Sequence, residues 1–279
     1  MIAMNNILQD LFTPALVTAI EANMFDFFRM FSHWPQAEFH DDPELLWTMT
    51  DIPFPMFNNR MRAKFTLEDV AVAAAIEAAI ARCQANNVPM LWLIGPTTMP
   101  TDLGARLETY GFLHTENAAG MAVDLQALNE DIPIPAGFTI EKVNDSVALK
   151  TWFRPFIAGF GIHDSFTDPF IDLYECAVFG AGMPLHAYTG WLNGEPVASS
   201  SLYYGAGVAG IYDVATVPEA RRQGIGALMT LAPLRDARAM GYRAGILHGS
   251  EMGSNVYRRL GFQEYCSIGQ YVWRPEHEQ

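Results

Sequence analysis

The stretch VATVPEARRQGIGALM, residues Val214 to Met229, constrains the fold more than any other part of this chain. A β-branched run ends at Pro218, a short loop carries Arg221 and Arg222, and glycines at 224 and 226 open a helix. Glycine lacks a Cβ, so backbone N–H groups there can approach an anion closely, and a helix N-terminus adds the positive end of its dipole. The two arginines bring charge to the same side. The pattern therefore predicts a strand, an anion-cradling loop and a helix in succession, with a pyrophosphate held mainly by backbone donors. It is not GxxxxGK[ST], and Met229 stands where a dinucleotide fingerprint needs its third glycine.

Charge sharpens the reading. Acids outnumber bases 31 to 17, a net charge of −14. Such a balance argues against a nucleic-acid binder or an anionic-membrane binder, both of which need a basic face. Residues 1–135 carry a net −11 and residues 136–279 a net −3, while residues 221–259 carry +5. The basic island coincides with the cradle and points to a compact anion.

Cys83, Cys176 and Cys266 are far apart, odd in number and without a CxxC pair, which suggests neither disulfides nor a zinc site. A reducing cytoplasm fits them. The N-terminal stretch lacks a basic region and contains Asp10, Glu21 and Asp26, so it does not read as a secretory signal. The apolar stretch Val70 to Cys83 is interrupted by Glu77 and is too short to span a bilayer. The expectation is a soluble protein without a metal; nothing in the sequence sets an oligomeric state.

Periodicity predicts helix over residues 1–50, with an amphipathic stretch from Ile7 to Phe31, then a Pro-rich strand at Ile52 to Phe57. A helix over Leu67 to Gln84 follows, with Thr66 as its N-cap. Next come a buried strand from Met90 to Gly95, a helix over Asp102 to Tyr110, and a strand from Met121 to Leu125. Residues 126–137 are polar and Pro-rich and read as a linker. Beyond it lie a strand at Phe138 to Val143 and two helical regions between Asp145 and Phe179. Hairpin turns follow at Asn193-Gly194 and Gly205 to Gly207. A helix over Gly224 to Met240, a strand at 244–250, a helix over Gly253 to Leu260 and a strand near Gln270 to Trp273 close the chain. Long helix, buried strand, short helix, Gly-Phe and strand thus occur twice, with Gly111-Phe112 and Gly261-Phe262 as counterparts. A duplicated α/β unit is the simplest account, divided as residues 1–130 and 136–279.

Two motifs carry a resemblance. Arg221-Arg222-Gln223-Gly224-Ile225-Gly226 matches Q/R-x-x-G-x-G/A, and Tyr257-Arg258-Arg259-Leu260-Gly261-Phe262 matches Y-x-x-x-G-F, in the right order with a helix and a strand between them. Over residues 138–275 the chain resembles the GNAT superfamily of acyl-CoA-dependent N-acyltransferases. The resemblance implies an α/β (α+β) fold of two GNAT-like domains, each a mixed, mostly antiparallel sheet flanked by helices. It implies a pantetheine arm along Val214, Ala215 and Thr216, and a pyrophosphate held by residues 221–226 and Ala227.

Transfer from a thioester to an amine needs a neutral amine, a held oxyanion and a proton donor for the thiolate. Tyr257 matches the family's tyrosine near the CoA sulfur and is the candidate acid. Asp213, beside the cofactor strand, and His248, on the neighbouring one, are both candidate bases. The family's Asn seven residues before the tyrosine is Ser250 here, leaving a serine as the candidate pantetheine contact. His163-Asp164 lies where relatives shape the acceptor site. In the first half Leu107 stands where Tyr257 does, and no R-x-x-G-x-G precedes the helix, so that half reads as a degenerate copy. The expectation is an acetyl-CoA-dependent N-acetyltransferase acting on a primary amine of a small molecule or peptide by direct attack. A non-catalytic acyl-CoA-binding sensor or scaffold is the alternative.

Overall fold

A computed structural model describes residues 7–11, 14–65, 69–180 and 184–275. Thr66 and Leu67, the expected cap and first residue of the second helix, lie outside the described residues. The chain forms two compact units, residues 1–33 with 120–265 and residues 34–119 with 266–279. These units do not follow a cut between 130 and 136, for two reasons visible in the packing of each.

The larger unit contains α1 (Ala15–Phe28), β6 (Phe138–Lys142), α4 (Ser146–Phe160), α5 (Thr167–Phe179), β7 (Leu185–Leu192), β8 (Glu195–Gly205), β9 (Val208–Thr216), α6 (Ile225–Ala239), β10 (Ala244–Gly249) and α7 (Glu251–Arg259). Strands β6 to β9 form an antiparallel meander, and β9 then runs parallel to β10. The Asn193-Gly194 and Ala206-Gly207 turns adopt positive φ, as the hairpin signals require. Although it comes from the chain's first residues, α1 packs here: Asn23 donates to Gly205 O (2.9 Å) and accepts from the Tyr212 hydroxyl (2.7 Å). This is the first reason the sequence boundary fails. Helix α4 starts at an Asp145 cap and ends at Gly161 in the left-handed region.

The smaller unit contains β1 (Glu38–Asp41), β2 (Leu46–Met49), β3 (Asn59–Met61), α2 (Asp69–Ala85), β4 (Met90–Ile94) and α3 (Leu103–Thr109). Here β1, β2 and β3 are antiparallel and β3 runs parallel to β4. Its core gathers Val72, Ile76, Cys83, Met90, Trp92, Leu107 and Phe112, all buried. The expected all-helical first fifty residues are thus corrected: Glu38–Asp41 and Leu46–Met49 are strands. The expected strand at Ile52 to Phe57 is a bend and a short 3-10 turn at Pro55–Phe57, with strand resuming at Asn59. Prolines at 53 and 55 cannot donate to a ladder, which explains the displacement.

The second reason lies in the last strand of each half. β5 (Leu113–Asp124) and β11 (Gln263–Trp273) are both long, and each contributes residues to both units. In the smaller unit β11 pairs with β4, Gly269–Trp273 against Ile94–Met90. In the larger unit the end of β5 neighbours β10, where Val123 and Leu125 lie against Gly245 so closely that a Cβ at 245 would clash. Among the described residues, mixed and mostly antiparallel strand pairing flanked by seven α-helices agrees with the α/β (α+β) fold class read from the sequence.

Candidate active site

Strands β9 and β10 are parallel neighbours only as far as Ile211 and Leu247. Beyond them β9 stays bonded to β8, with Ser199 opposite Ala215 and Ala198 opposite Thr216. One edge of residues 212–216 is thereby left open. Val217 N–H turns to β8 (2.9 Å to Val197 O), so strand alternation turns the N–H groups of Thr216 and Val214 away from β8, into the gap. Helix α4 closes over this strand at Gly159, where a Cβ would stand 2.7 Å from that of Ala215.

The cradle sits at the end of the same strand. Arg222 (φ 63°) and Gly224 (φ 80°) are both left-handed, and Gly224 is the N-cap of α6. Among the described residues, the N–H groups of residues 222–226 take no backbone acceptor, because the first turn of a helix has none and the loop supplies none. Arg221 spends two donors as a brace, on Thr216 O (3.0 Å) and Gly159 O (2.9 Å). Arg222 and Gln223 are exposed. Ala227 N–H is already bonded to Gly224 O (3.1 Å), and Ile225 is a buried anchor. Five orphan donors, a helix terminus and an unpaired arginine suit a pyrophosphate, which tests well the group this loop would hold.

Tyr257 projects from α7 over the end of β10. Its ring lies against Gly249 and Gly253, where added Cβ atoms would come within 3.3 and 2.9 Å of it. The Gly-Ser-Glu-Met-Gly spacing is what makes room for the ring. Burial pushes its phenol up to about 12, so it is protonated at neutral pH. Ser250 caps α7, its hydroxyl accepting from Gly253 N (3.3 Å), and that side chain is committed to the helix.

Asp213 lies at a β-bulge: Ser199 pairs with Ala215 and Ser201 with Tyr212, so two residues of β9 face one of β8. Its φ is 57°. The carboxylate accepts from the Tyr174 hydroxyl of α5 (2.9 Å) and from the Ser201 hydroxyl. Burial pushes its pKa up to about 6, with both hydroxyl donors pulling the other way. His248 follows the last paired residue of β10; both its ring nitrogens are out of solvent and neither makes a hydrogen bond of good geometry. Burial pushes it down to about 4, the Ile20 backbone opposing weakly, so the imidazole is neutral at pH 7. Its ring is 6.0 Å from that of Tyr212. His163 caps a 3-10 turn, pairing with Ser165 (2.9 Å). The residues that sequence reasoning missed are Tyr174 and Ser201, which lie 39 and 12 positions from Asp213.

The family profile described as "Acetyltransferase (GNAT) domain" matches residues 206–265, from the β8–β9 turn through the cradle to the Gly-Phe motif. Over these residues the chain is similar to a GNAT acetyltransferase domain. No curated protein sequence matches the chain. Among solved structures, a GCN5-related N-acetyltransferase from Kribbella flavida superposes with a TM-score of 0.69 at 19% identity, covering 93% of this chain and 97% of that one. A GCN5-related N-acetyltransferase from Sphaerobacter thermophilus gives 0.63 at 14%, covering 94% and 93%. A tandem GNAT protein from the clavulanic acid biosynthesis pathway gives 0.59 at 13%, covering 93% and 96%. At these identities the likeness is one of fold.

Proposed function

We propose that the second half of this chain is an acetyl-CoA-dependent N-acetyltransferase acting on a primary amine, and that the first half is a GNAT-like copy without a cofactor site. The observation that carries this is the conjunction, at one gap between β9 and β10, of an open backbone edge, five orphan N–H donors and Tyr257. The loop at 222–226 binds the pyrophosphate of the substrate, and the edge at Val214 and Thr216 takes its pantetheine arm. Neither role needs more from the side chains of Ala215, Ile225 or Ala227 than small or apolar packing.

The thioester supplies an activated acyl group; the chain's own residues manage the protons. Asp213, titrating near about 6, is ionised at pH 7 to 8 and accepts the proton of an arriving ammonium through water. Free backbone N–H groups past the bulge stabilise the oxyanion formed when the amine attacks the thioester carbonyl. As the C–N bond forms and the C–S bond breaks, Tyr257 gives its proton to the departing thiolate. His248, already neutral and without a hydrogen-bond partner, is the lesser candidate for base, because an imidazole held near about 4 is a weak one. A cytoplasmic location belongs to the same reading and rests on three cysteines, at 83, 176 and 266, that are far apart and form no CxxC pair. Among the described residues no helix is long and apolar enough to cross a membrane.

The test is release of CoA thiol from acetyl-CoA in the presence of a broad amine panel. Amine-dependent release is the expected result. Absence of both release and acetyl-CoA binding contradicts the proposal, whereas binding without release favours a sensor.

A further inference from the structure

Asp213 is a non-glycine residue at φ 57° inside a strand. Such a conformation is strained for a residue with a Cβ and persists only where the surroundings impose it. Part of what imposes it is plain. The Ser199 hydroxyl donates to Asp213 O (2.9 Å), and Tyr174 and Ser201 hold the carboxylate. These contacts come from β8 and α5 and act on Asp213 itself.

Tyr212, the paired residue that leads into the bulge, is held from elsewhere. Its ring lies flat on Phe27 of α1, centroids 4.0 Å apart and planes 5° apart. Its hydroxyl donates to Asn23 Oδ1 (2.7 Å). Asn23 is fully buried, and its amide donates to Gly205 O (2.9 Å) at the turn that starts β9. A Cβ on Gly210 would stand 2.1 Å from Asn23 Oδ1, so β9 carries a glycine where α1 presses this side chain onto it. One amide on α1 thus spans β9 from its first turn to the residue just before the bulge.

We infer that Asn23 is a positioning residue for the Asp213 bulge: the N-terminal helix fixes Tyr212, and through it the backbone step that aims Asp213 at the acceptor. A strand that loses its bulge re-registers by one residue, and a one-residue slip turns a side chain to the opposite face. Without the Asn23 contact, Asp213 relaxes toward ordinary β geometry and leaves its hydrogen-bond donors. The titratable groups facing Asp213 are Tyr174 from α5 and Tyr212 beside it, while β8 brings the hydroxyl of Ser201. On the α1 side, Asp26 is the charged neighbour of Tyr212.

This inference rests on the acetyltransferase reading, and its test separates the two. Asn23→Leu removes both polar ends at similar volume; Asn23→Asp keeps the acceptor for Tyr212; Tyr212→Phe keeps the stack on Phe27 and deletes only the hydroxyl. For Asn23→Leu and Tyr212→Phe the expected result is a fall in kcat of about tenfold or more, with acetyl-CoA affinity and the amine KM within about twofold of the parent. The acid limb of the kcat profile moves to lower pH as Asp213 loses its burial, and Asn23→Asp restores most of kcat. Unchanged kcat and acid limb in both Asn23→Leu and Tyr212→Phe overturn the inference. If Asn23→Leu does not fold, Tyr212→Phe carries the same comparison. If the parent protein turns over no amine, the acetyltransferase reading has failed, and crystal structures of the parent and of Tyr212→Phe decide the positioning claim. A positive φ retained at residue 213 of the variant then overturns it, and a regular strand there supports it.

Discussion

The two units build the same parallel strand pair and finish it in opposite ways. Asn59 opposite Leu91 in the smaller unit corresponds to Gly210 opposite Ile246 in the larger. Counting three residues on from Asn59 and from Gly210 reaches Arg62 (φ 53°) and Asp213 (φ 57°), so both strands keep a left-handed residue at the same step. Past it, the larger unit leaves the edge of residues 214–216 open. In the smaller unit that edge is taken by its own chain: Met99 N–H bonds Ala63 O (2.9 Å) and Phe65 N–H bonds Met99 O (3.1 Å). Eight residues separate β4 from α3 and supply this plug, whereas Ser250 alone separates β10 from α7. Conversely, eight residues form the cradle between Thr216 and Ile225, while only residues 66–68 separate Phe65 from α2. At this left-handed step the smaller unit has Arg62, paired with Asp41, where the larger has the buried carboxylate of Asp213. Leu107, at the Tyr257 position, is fully buried in the core. The fold accommodates a filled gap as well as an open one, so loop allocation rather than strand order decides which unit keeps the gap open.

The largest expected effect is at the cradle. Gly224→Val puts a β-branched residue at φ 80°, misaligning the orphan donors; acetyl-CoA affinity measured by calorimetry is expected to fall at least about thirtyfold. Tyr257→Phe is expected to lower kcat by about a hundredfold with acetyl-CoA affinity unchanged. Its counterpart Leu107→Ala is expected to leave kcat alone and cost about 2–4 kcal/mol of stability, read by denaturant titration. Equal kinetic effects from the two would erase the distinction between the halves.

Asp213 gives a pH signature. Activity is expected to fall as pH drops through about 6, where the carboxylate protonates. Because its folded pKa is raised above the ordinary carboxylate value, the ionised form is a cost to the fold, present above about pH 6 and removed as pH falls below the unfolded value near 4. Asp213→Asn is therefore expected to raise the melting temperature at pH 8 and not at pH 4, while abolishing the acid limb. The smallest effect is expected from Arg62→Ala: a half-exposed pair with Asp41 contributes about 1 kcal/mol or less, and acetyl-CoA binding is unaffected.

The cradle and Tyr257 were legible in the sequence because each is local: glycines at fixed offsets before a helix, and a tyrosine four residues ahead of Gly261. The recurring order of long helix, strand, short helix and long strand was legible for the same reason. The unit boundaries were not, because α1 is held by Asn23 and Phe27 against residues some 180 positions away. Those contacts leave no periodic trace. The choice between Asp213 and His248 was likewise hidden, since strand alternation fails at a bulge, and the hydroxyls that hold Asp213 come from α5 and β8. The early strands were masked by an amphipathic helix before them and by prolines after them.

The central claim is that one half of this chain binds acyl-CoA and the other fills the equivalent gap with its own backbone. The stoichiometry of acetyl-CoA binding to the full chain, measured by calorimetry on the parent protein and on Gly224→Val, tests it directly. One molecule per chain, lost in Gly224→Val and retained in Arg62→Ala, is the expected result. Two molecules per chain, or one that survives Gly224→Val at parent affinity, would contradict it.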